Sequence, residues 1–145
     1  MFKHILLPTD GSKLSEKAIR HSVRMAKALG AKITALHVTP KFHTFTYSME
    51  MLEATRGNYE ADATERARHY LEFARKVAHA AGVSCDGVQA SGDQPYKEII
   101  KVAQKKGCDL ILMASHGRRG IEGFLLGSET QKVLTHSRTP VLVYR

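Results

Sequence analysis

The chain has little of what would hold it together covalently or fasten it to a membrane. Two cysteines in 145 residues, Cys85 and Cys108, cannot build a disulfide framework, and each begins a predicted strand, where a reduced buried thiol is the expectation. No apolar run approaches the roughly 20 residues that span a bilayer. The opening Met1 to Pro8 lacks the long apolar stretch and small-residue cleavage site of a secretory signal, so a cytoplasmic protein with no membrane partner is expected. The eight histidines show neither an H-x-x-x-H spacing nor a cysteine at metal-ligand spacing, which argues against a protein-built metal site. A G-x-x-x-x-G-K-[ST] loop is missing too, as is any recognisable nucleophile with a paired acid and base, so no catalytic residue is assigned.

Basic charge is present but not concentrated. A net charge of +8 favours polyanionic partners in general. Yet Lys13, Lys17, Arg20, Arg24 and Lys27, and again Arg66, Arg68, Arg75 and Lys76, are spread as on the solvated faces of two helices. No stacking aromatics interleave with them, and nucleic-acid binding is not expected.

What the chain does have is a regular alternation of short apolar runs and helical periods, with no linker or internal repeat, so residues 1–145 are read as one domain. Lys3 to Pro8 reads as a strand, Lys13 to Leu29 as a helix stopped by Gly30, and Ala31 to Val38 as a second strand. Ala63, Ala67, Tyr70, Leu71, Ala74, Val77, Ala78 and Ala81 recur at three and four residues, the clearest helix in the chain, which Gly82 ends. Val83 to Ala90 follows as a third strand, Pro95 to Lys106 as a helix, Asp109 to Ala114 as a fourth strand, then a helix from Gly127-Ser128 and a fifth strand, Thr139 to Tyr144. Such alternation implies an α/β fold: a parallel open sheet, helices on both faces, and a ligand crevice beyond the carboxyl ends of the strands.

The most informative stretch joins the fourth strand to its helix: Met113-Ala-Ser-His-Gly-Arg-Arg-Gly-Ile-Glu-Gly-Phe-Leu-Leu-Gly-Ser-Glu-Thr130. Glycines let a backbone come close to an anion, and the first turn of a helix offers unpaired N–H groups and the positive end of its dipole. This is how α/β proteins hold phosphate. The plainer alternative is an ordinary glycine-rich connection.

These residues resemble the universal stress protein family, whose nucleotide-binding members carry G-x-x-G, nine residues, then G-[ST] after the fourth strand. Gly117 matches the second glycine and Gly127-Ser128 the terminal pair, while Ala114 stands in place of the first glycine. The resemblance runs from Ile5-Leu-Leu-Pro-Thr-Asp-Gly-Ser12 through Leu36-His-Val38 to Pro140-Val-Leu-Val143. It implies a Rossmann-like five-stranded sheet of order 3-2-1-4-5, whose switch point would bring Pro8, Thr9 and Asp10 against the segment from Ala114 to Gly117, with Met113 and His116 counted among the site residues. In that order the strands that Cys85 and Cys108 begin are not neighbours.

The resemblance further implies an adenine nucleotide, ATP or AMP, with Mg²⁺ carried by its phosphates. Asp10 would meet the ribose hydroxyls, although Asp10-Gly11-Ser12 is also a good turn and cap. Val38 would offer its backbone to the adenine edge. The phosphates are assigned to the backbone of Gly117 and Gly127 and the hydroxyl of Ser128, with Thr130 as a secondary donor. Glu129 stands where ATP-binding members often have a small apolar residue; it either points outward or weakens a triphosphate relative to AMP. Arg118 and Arg119 either reach the β or γ phosphate or form a solvated pair. His116 is read as structural or as a phosphate-side donor. Any hydrolysis of ATP is expected to be slow.

Two further expectations concern partners. The connection from Thr39 to about Tyr59 is long and rich in Phe42, Phe45, Tyr47, Met49, Met51 and Leu52; it is either a lid over the site or a short helix packing those groups. The last strand, residues 140–144, would be an apolar sheet edge, which invites an antiparallel homodimer. The function implied is a nucleotide-responsive stress regulator acting on an unknown protein partner. The alternative is an interaction module of the same fold that binds no nucleotide.

Overall fold

Ile5, Leu6 and Leu7 form an unbroken apolar run, the pattern of a strand buried on both faces. The computed structural model describes residues 1–42, 49–118 and 125–145, with side chains for all of these except 49–54, and it puts this run in the middle of the molecule. β1 (His4–Pro8) lies between β2 (Lys32–Thr39) and β4 (Leu110–Ala114), with β3 (Cys85–Ser91) and β5 (Val141–Tyr144) at the edges. The order is β3-β2-β1-β4-β5 and the pairings are parallel. α1 (Lys13–Leu29), α2 (Met49–Ala80), α3 (Pro95–Lys106) and α4 (Ser128–His136) alternate with the strands, giving the expected Rossmann-like α/β fold.

Successive side chains of the central strands go to opposite faces. Ile5 and Leu7 with Leu110 and Leu112 pack on Ile19 and Val23 of α1 and on Leu71 and Ala74 of α2. Leu6, Ile111 and Met113 turn the other way, onto Ile99 and Val102 of α3 and Val133 of α4. Right-handed crossovers explain the division: the chain steps from β1 out to β3 in one direction and from β4 to β5 in the other, so the same hand lays the two helix pairs on opposite faces. Leu6, Leu36 and Ile111 are fully buried, and each such side chain withdrawn from water contributes about 1.5–3 kcal/mol.

The bounds of α1 and α3 are those read from the sequence. The Ser12 hydroxyl accepts the Ser15 N–H at 3.1 Å as the cap of α1, and Gly30 and Gly107 close α1 and α3 in the left-handed region, with φ of 63° and 66°. All five strands begin one or two residues later than read, at His4, Lys32, Cys85, Leu110 and Val141, and for two of them the local hydrogen bonds show why. Val83 is not in β3, because its N–H bonds back to the Ala78 carbonyl at 2.9 Å in the closing turn of α2. Cys108 precedes β4 rather than opening it, its N–H likewise taken by Ala103 at 2.8 Å in the closing turn of α3. Both thiols are free, and burial pushes Cys108 up to about 11.

The connection expected over 39–59 is much shorter than that. Residues 43–48, with Phe45 and Tyr47, lie outside the described residues, and from Met49 onward the chain is already α2, a single helix of 32 residues. Neither a 21-residue lid nor a separate short helix is present over 49–59. The reason for the misreading is physical: Thr55 to Glu60 are exposed apart from half-buried Tyr59, so these turns carry no core stripe to leave a period in the sequence. Tyr59 instead ties the helix to the end of β2, its hydroxyl donating to the Pro40 carbonyl at 2.9 Å and its ring lying 5.4 Å from that of Phe42.

His4 is buried, its Nε2 2.8 Å from the Thr34 hydroxyl. Burial, helped by Lys32, holds the imidazole below its ordinary value of 6.5, against the opposing pull of Asp109, the Lys106 backbone and Asp86. The folded chain therefore takes up this proton at lower pH than the unfolded chain, and the His4 contribution is complete above pH 6.5 and declines as the pH falls through the window beneath it. Urea unfolding between about pH 7 and 5 is expected to show that decline, and His4→Gln to flatten it. An unchanged slope in the variant would assign the loss to other groups.

Candidate functional site

The carboxyl end of β1 is built by short-range polar contacts. The Thr9 N–H bonds to the Leu36 carbonyl at 2.8 Å, extending the β1–β2 ladder by one step, and its buried hydroxyl lies 3.2 Å from that of Ser15. Asp10 is not the cap of α1, a role held by Ser12. Its Oδ1 accepts the Ser12 N–H at 3.0 Å and its Oδ2 accepts the Arg118 N–H at 2.8 Å, across 108 residues of sequence. Burial pushes the Asp10 carboxyl up, but hydrogen bonds from Ser12, Arg118 and Ser15 outweigh it and hold the group below its ordinary value of 3.8. It is an ionised acceptor.

The loop after β4 leaves and returns at one point. The Ser115 N–H continues the ladder to the Tyr144 carbonyl at 2.7 Å, and the Ser115 carbonyl in turn accepts the Gly127 N–H at 2.7 Å. Gly127 is needed for that closure, since a Cβ there would come within 3.1 Å of His116 Cα and 3.2 Å of the Ser115 oxygen. Gly117 is needed for a similar reason: a Cβ would strike Asp10 Oδ2. α4 begins at Ser128, and Gln131 is the first residue to bond back, to the Gly127 carbonyl at 3.0 Å, so the N–H groups before it have no acceptor within the helix.

Three assigned side chains behave differently from expectation. The Thr130 hydroxyl is buried and donates to the Ala114 carbonyl at 3.0 Å, which pins α4 to β4 and leaves only its backbone for a ligand. Arg118 is exposed but folds back onto the turn after β1. Its Nε donates to the Asp10 carbonyl at 2.9 Å, and its guanidinium lies 5.2 Å over the Tyr70 ring. Arg119 is outside the described residues. Glu129 turns toward α3, where its Oε2 accepts the Tyr96 N–H at 2.9 Å and its Oε1 lies 3.2 Å from Lys132 Nζ. Gln94, at the cap position of α3, makes no side-chain cap bond, so Glu129 supplies the anion for that helix start from another element. His116 contacts Ser115 Oγ through Nδ1 at 3.2 Å.

Together these elements enclose a cleft of about 850 Å³ at the carboxyl ends of β1, β2 and β4. Apart from Arg119, which lies outside the described residues, the residues assigned from the sequence line it, from Pro8, Thr9, Asp10 and Val38 to Met113, Ala114, His116, Gly117, Arg118 and Gly127 through Thr130. The sequence reading missed the α2 wall, Ala63, Arg66 and Tyr70, and also His37, Pro95 and Ile99. Tyr70 was read as core because it falls in the apolar stripe of α2. A Cβ at Gly11 would collide with the Tyr70 ring, and His37, whose Nδ1 is 2.8 Å from the Thr9 carbonyl, meets that ring edge-on at 5.1 Å. Glycine at 11 was the available signal for a large neighbour. A second cavity, about 120 Å³ behind Tyr70, is too small for more than a few waters.

The universal stress protein family model matches residues 1–145. Universal stress protein MJ0577 of Methanocaldococcus jannaschii is 32% identical, over 100% of this chain and 96% of the relative. Its solved structure has a TM-score of 0.83 at 31% identity, over 99% of this chain and 95% of that one. Universal stress protein YxiE of Bacillus subtilis is 32% identical over 100% of both chains. A universal stress protein family protein of Arabidopsis thaliana, solved with AMP bound, shares the fold with a TM-score of 0.68 at 20% identity, over 97% of this chain and 90% of that one. The match over the full length, together with the β1–β4 cleft and its glycine loop, means that this chain belongs to the universal stress protein family.

Proposed function

We propose that the cleft binds an adenine nucleotide, ATP or AMP, and that the chain acts as a stress-response regulator with at most slow ATP hydrolysis. One observation carries the reading: an ionised carboxylate, Asp10, and the first-turn amides of α4 converge on one cleft at the switch point between β1 and β4. Each is matched to a different part of a nucleotide. A carboxylate has about four acceptor sites, so after the Ser12, Arg118 and Ser15 donors the Asp10 group retains capacity for a ribose hydroxyl. The Gly127 N–H is taken by the Ser115 carbonyl, so it is the first-turn amides of α4 from Ser128 on, with the Ser128 hydroxyl, that suit a phosphate, and the end of β2 at Val38 suits the adenine edge. The AMP carried by the Arabidopsis thaliana protein of the same fold is in keeping with this. No group of three His, Cys, Asp or Glu among the described residues could hold a metal, so Mg²⁺ would travel with the phosphates.

Occupancy would be signalled to a protein partner through the surface around the cleft or through a dimer. β5 is an edge strand with Leu142 39% exposed, open to antiparallel pairing with a second copy. A second reading, an interaction module without nucleotide, draws on Ala114 at the first glycine position and on Glu129 beside the α4 amides.

Calorimetric titration with ATP, ADP and AMP in Mg²⁺ is expected to give micromolar binding. Gly127→Val should abolish it with the circular dichroism spectrum retained; no binding of any of the three at several temperatures would favour the second reading. Asp10→Asn is expected to weaken AMP about 10- to 100-fold, and to narrow the gap between AMP and 2′-deoxy-AMP, which a merely structural role would leave alone. Light scattering at micromolar concentration should give twice the chain mass, and Leu142→Lys a single chain; a monomeric wild type would exclude the β5 dimer at that concentration.

A further inference from the structure

We infer that Glu129 makes this cleft selective for a nucleoside monophosphate over the di- and triphosphate, an inference that rests on the nucleotide reading of the same site. Two independent features of the cleft lead to it.

The first is where the Glu129 carboxylate is held. It leaves the first turn of α4, the turn whose amides would take a phosphate, and both its oxygens are engaged: Oε2 by the Tyr96 N–H at 2.9 Å and Oε1 by Lys132 Nζ at 3.2 Å. α3 begins with Pro95 and has no side-chain cap of its own, so this carboxylate is fixed in place by the positive end of a second helix. It is one third exposed and lines the cleft between the starts of α3 and α4. One phosphate on the Ser128 amide and hydroxyl is the least charge this turn has to accommodate. A longer phosphate chain adds negative charge beside a carboxylate that the α3 amide retains, and like charges a few ångströms apart repel.

The second feature is the charge of the cleft as a whole. The chain carries +8, yet the cleft is lined by three carboxylates, Asp10, Asp93 and Glu129, against two guanidiniums among the described residues, Arg66 and Arg118. The Arg118 guanidinium is already directed at the carbonyls of Asp10 and Gly11, at 2.9 and 3.4 Å, and at the Tyr70 face. No lysine lines the cleft among the described residues. Among the described residues the cleft therefore offers an anion mainly backbone dipoles, which suit one phosphate group, and, with Lys132 already paired to Glu129, few cations with which to neutralise three.

The test is calorimetry of AMP, ADP and ATP, with Mg²⁺ and with EDTA, on the wild type and two variants. The wild type is expected to bind AMP at least about tenfold tighter than ATP, with ADP between. Glu129→Gln removes the charge but keeps an oxygen for the Tyr96 N–H; it should tighten ATP and leave AMP within about twofold, so that the ratio closes. Glu129→Asp keeps the charge and shortens the reach to Tyr96, and should retain the preference for AMP, which separates charge from capping. ATP binding as tightly as AMP to the wild type, or an AMP-to-ATP ratio that Glu129→Gln leaves unchanged, overturns the selectivity while the nucleotide reading stands. Failure of all three nucleotides to bind the folded wild type overturns both.

Discussion

Asp109 accepts the N–H groups of Lys3 and His4 with its two carboxylate oxygens, at 2.8 and 2.9 Å, while its own N–H reaches the His4 carbonyl at 2.9 Å. This clamp joins the start of β4 to the start of β1 across more than a hundred residues and sets the register Ile5↔Leu110 and Leu6↔Ile111. A slip of one residue would turn Leu110 and Leu112 away from α1 and α2 and exchange the two cores. The opposite ends of the same strands depend on that register as well. β1 and β4 end at the same edge of the sheet, Asp10 comes within hydrogen-bond distance of the Arg118 N–H, and the loop after β4 opens onto the turn after β1.

The division of the fold at this joint is also why there is a cleft. Helices leave β1 and β4 toward opposite faces, and among the described residues the cleft opens between the two carboxyl ends. What fills the rim is polar and bonded to itself: Ser12 caps α1, Glu129 caps α3, and the Thr130 hydroxyl ties α4 to β4. The basic residues that give the chain its net charge lie elsewhere. Lys13, Lys17, Arg20, Arg24 and Lys27 are exposed along α1, and only Arg66 and Arg118 among the described cations line the cleft. A protein that is basic overall thus lines its cleft, among the described residues, with few of its cations.

Much of this was legible in the sequence where the signal is local. The helix limits Lys13–Leu29 and Pro95–Lys106 follow from an N-cap serine or N-terminal proline and a stop glycine, all read from neighbouring residues. The loop from Met113 to Thr130 could be recognised because glycine spacing survives as a pattern. The start of α2 could not, since Thr55 to Glu60 carry no buried stripe and Gly57 reads as a break. Tyr70 was recognised as helical but taken for core, because a 3.6-residue period places a side chain on a face without saying whether that face meets the sheet or a cleft.

By itself, then, the sequence determined the alternation of strands and helices, the two-sided burial of β1 and β4, the glycines that allow close approach, and the family pattern that names the sheet order. These depend on the periodicity and chemistry of neighbouring residues. Only the tertiary structure decided how the polar groups of the site are divided among partners: Asp10 with the Arg118 amide rather than the α1 cap, Glu129 with the start of α3 rather than solvent, and the Thr130 hydroxyl with the Ala114 carbonyl rather than a ligand. Each of these is a contact between groups at least 16 residues apart, and in a low-dielectric rim a polar group takes whichever partner the packing brings within about 3 Å.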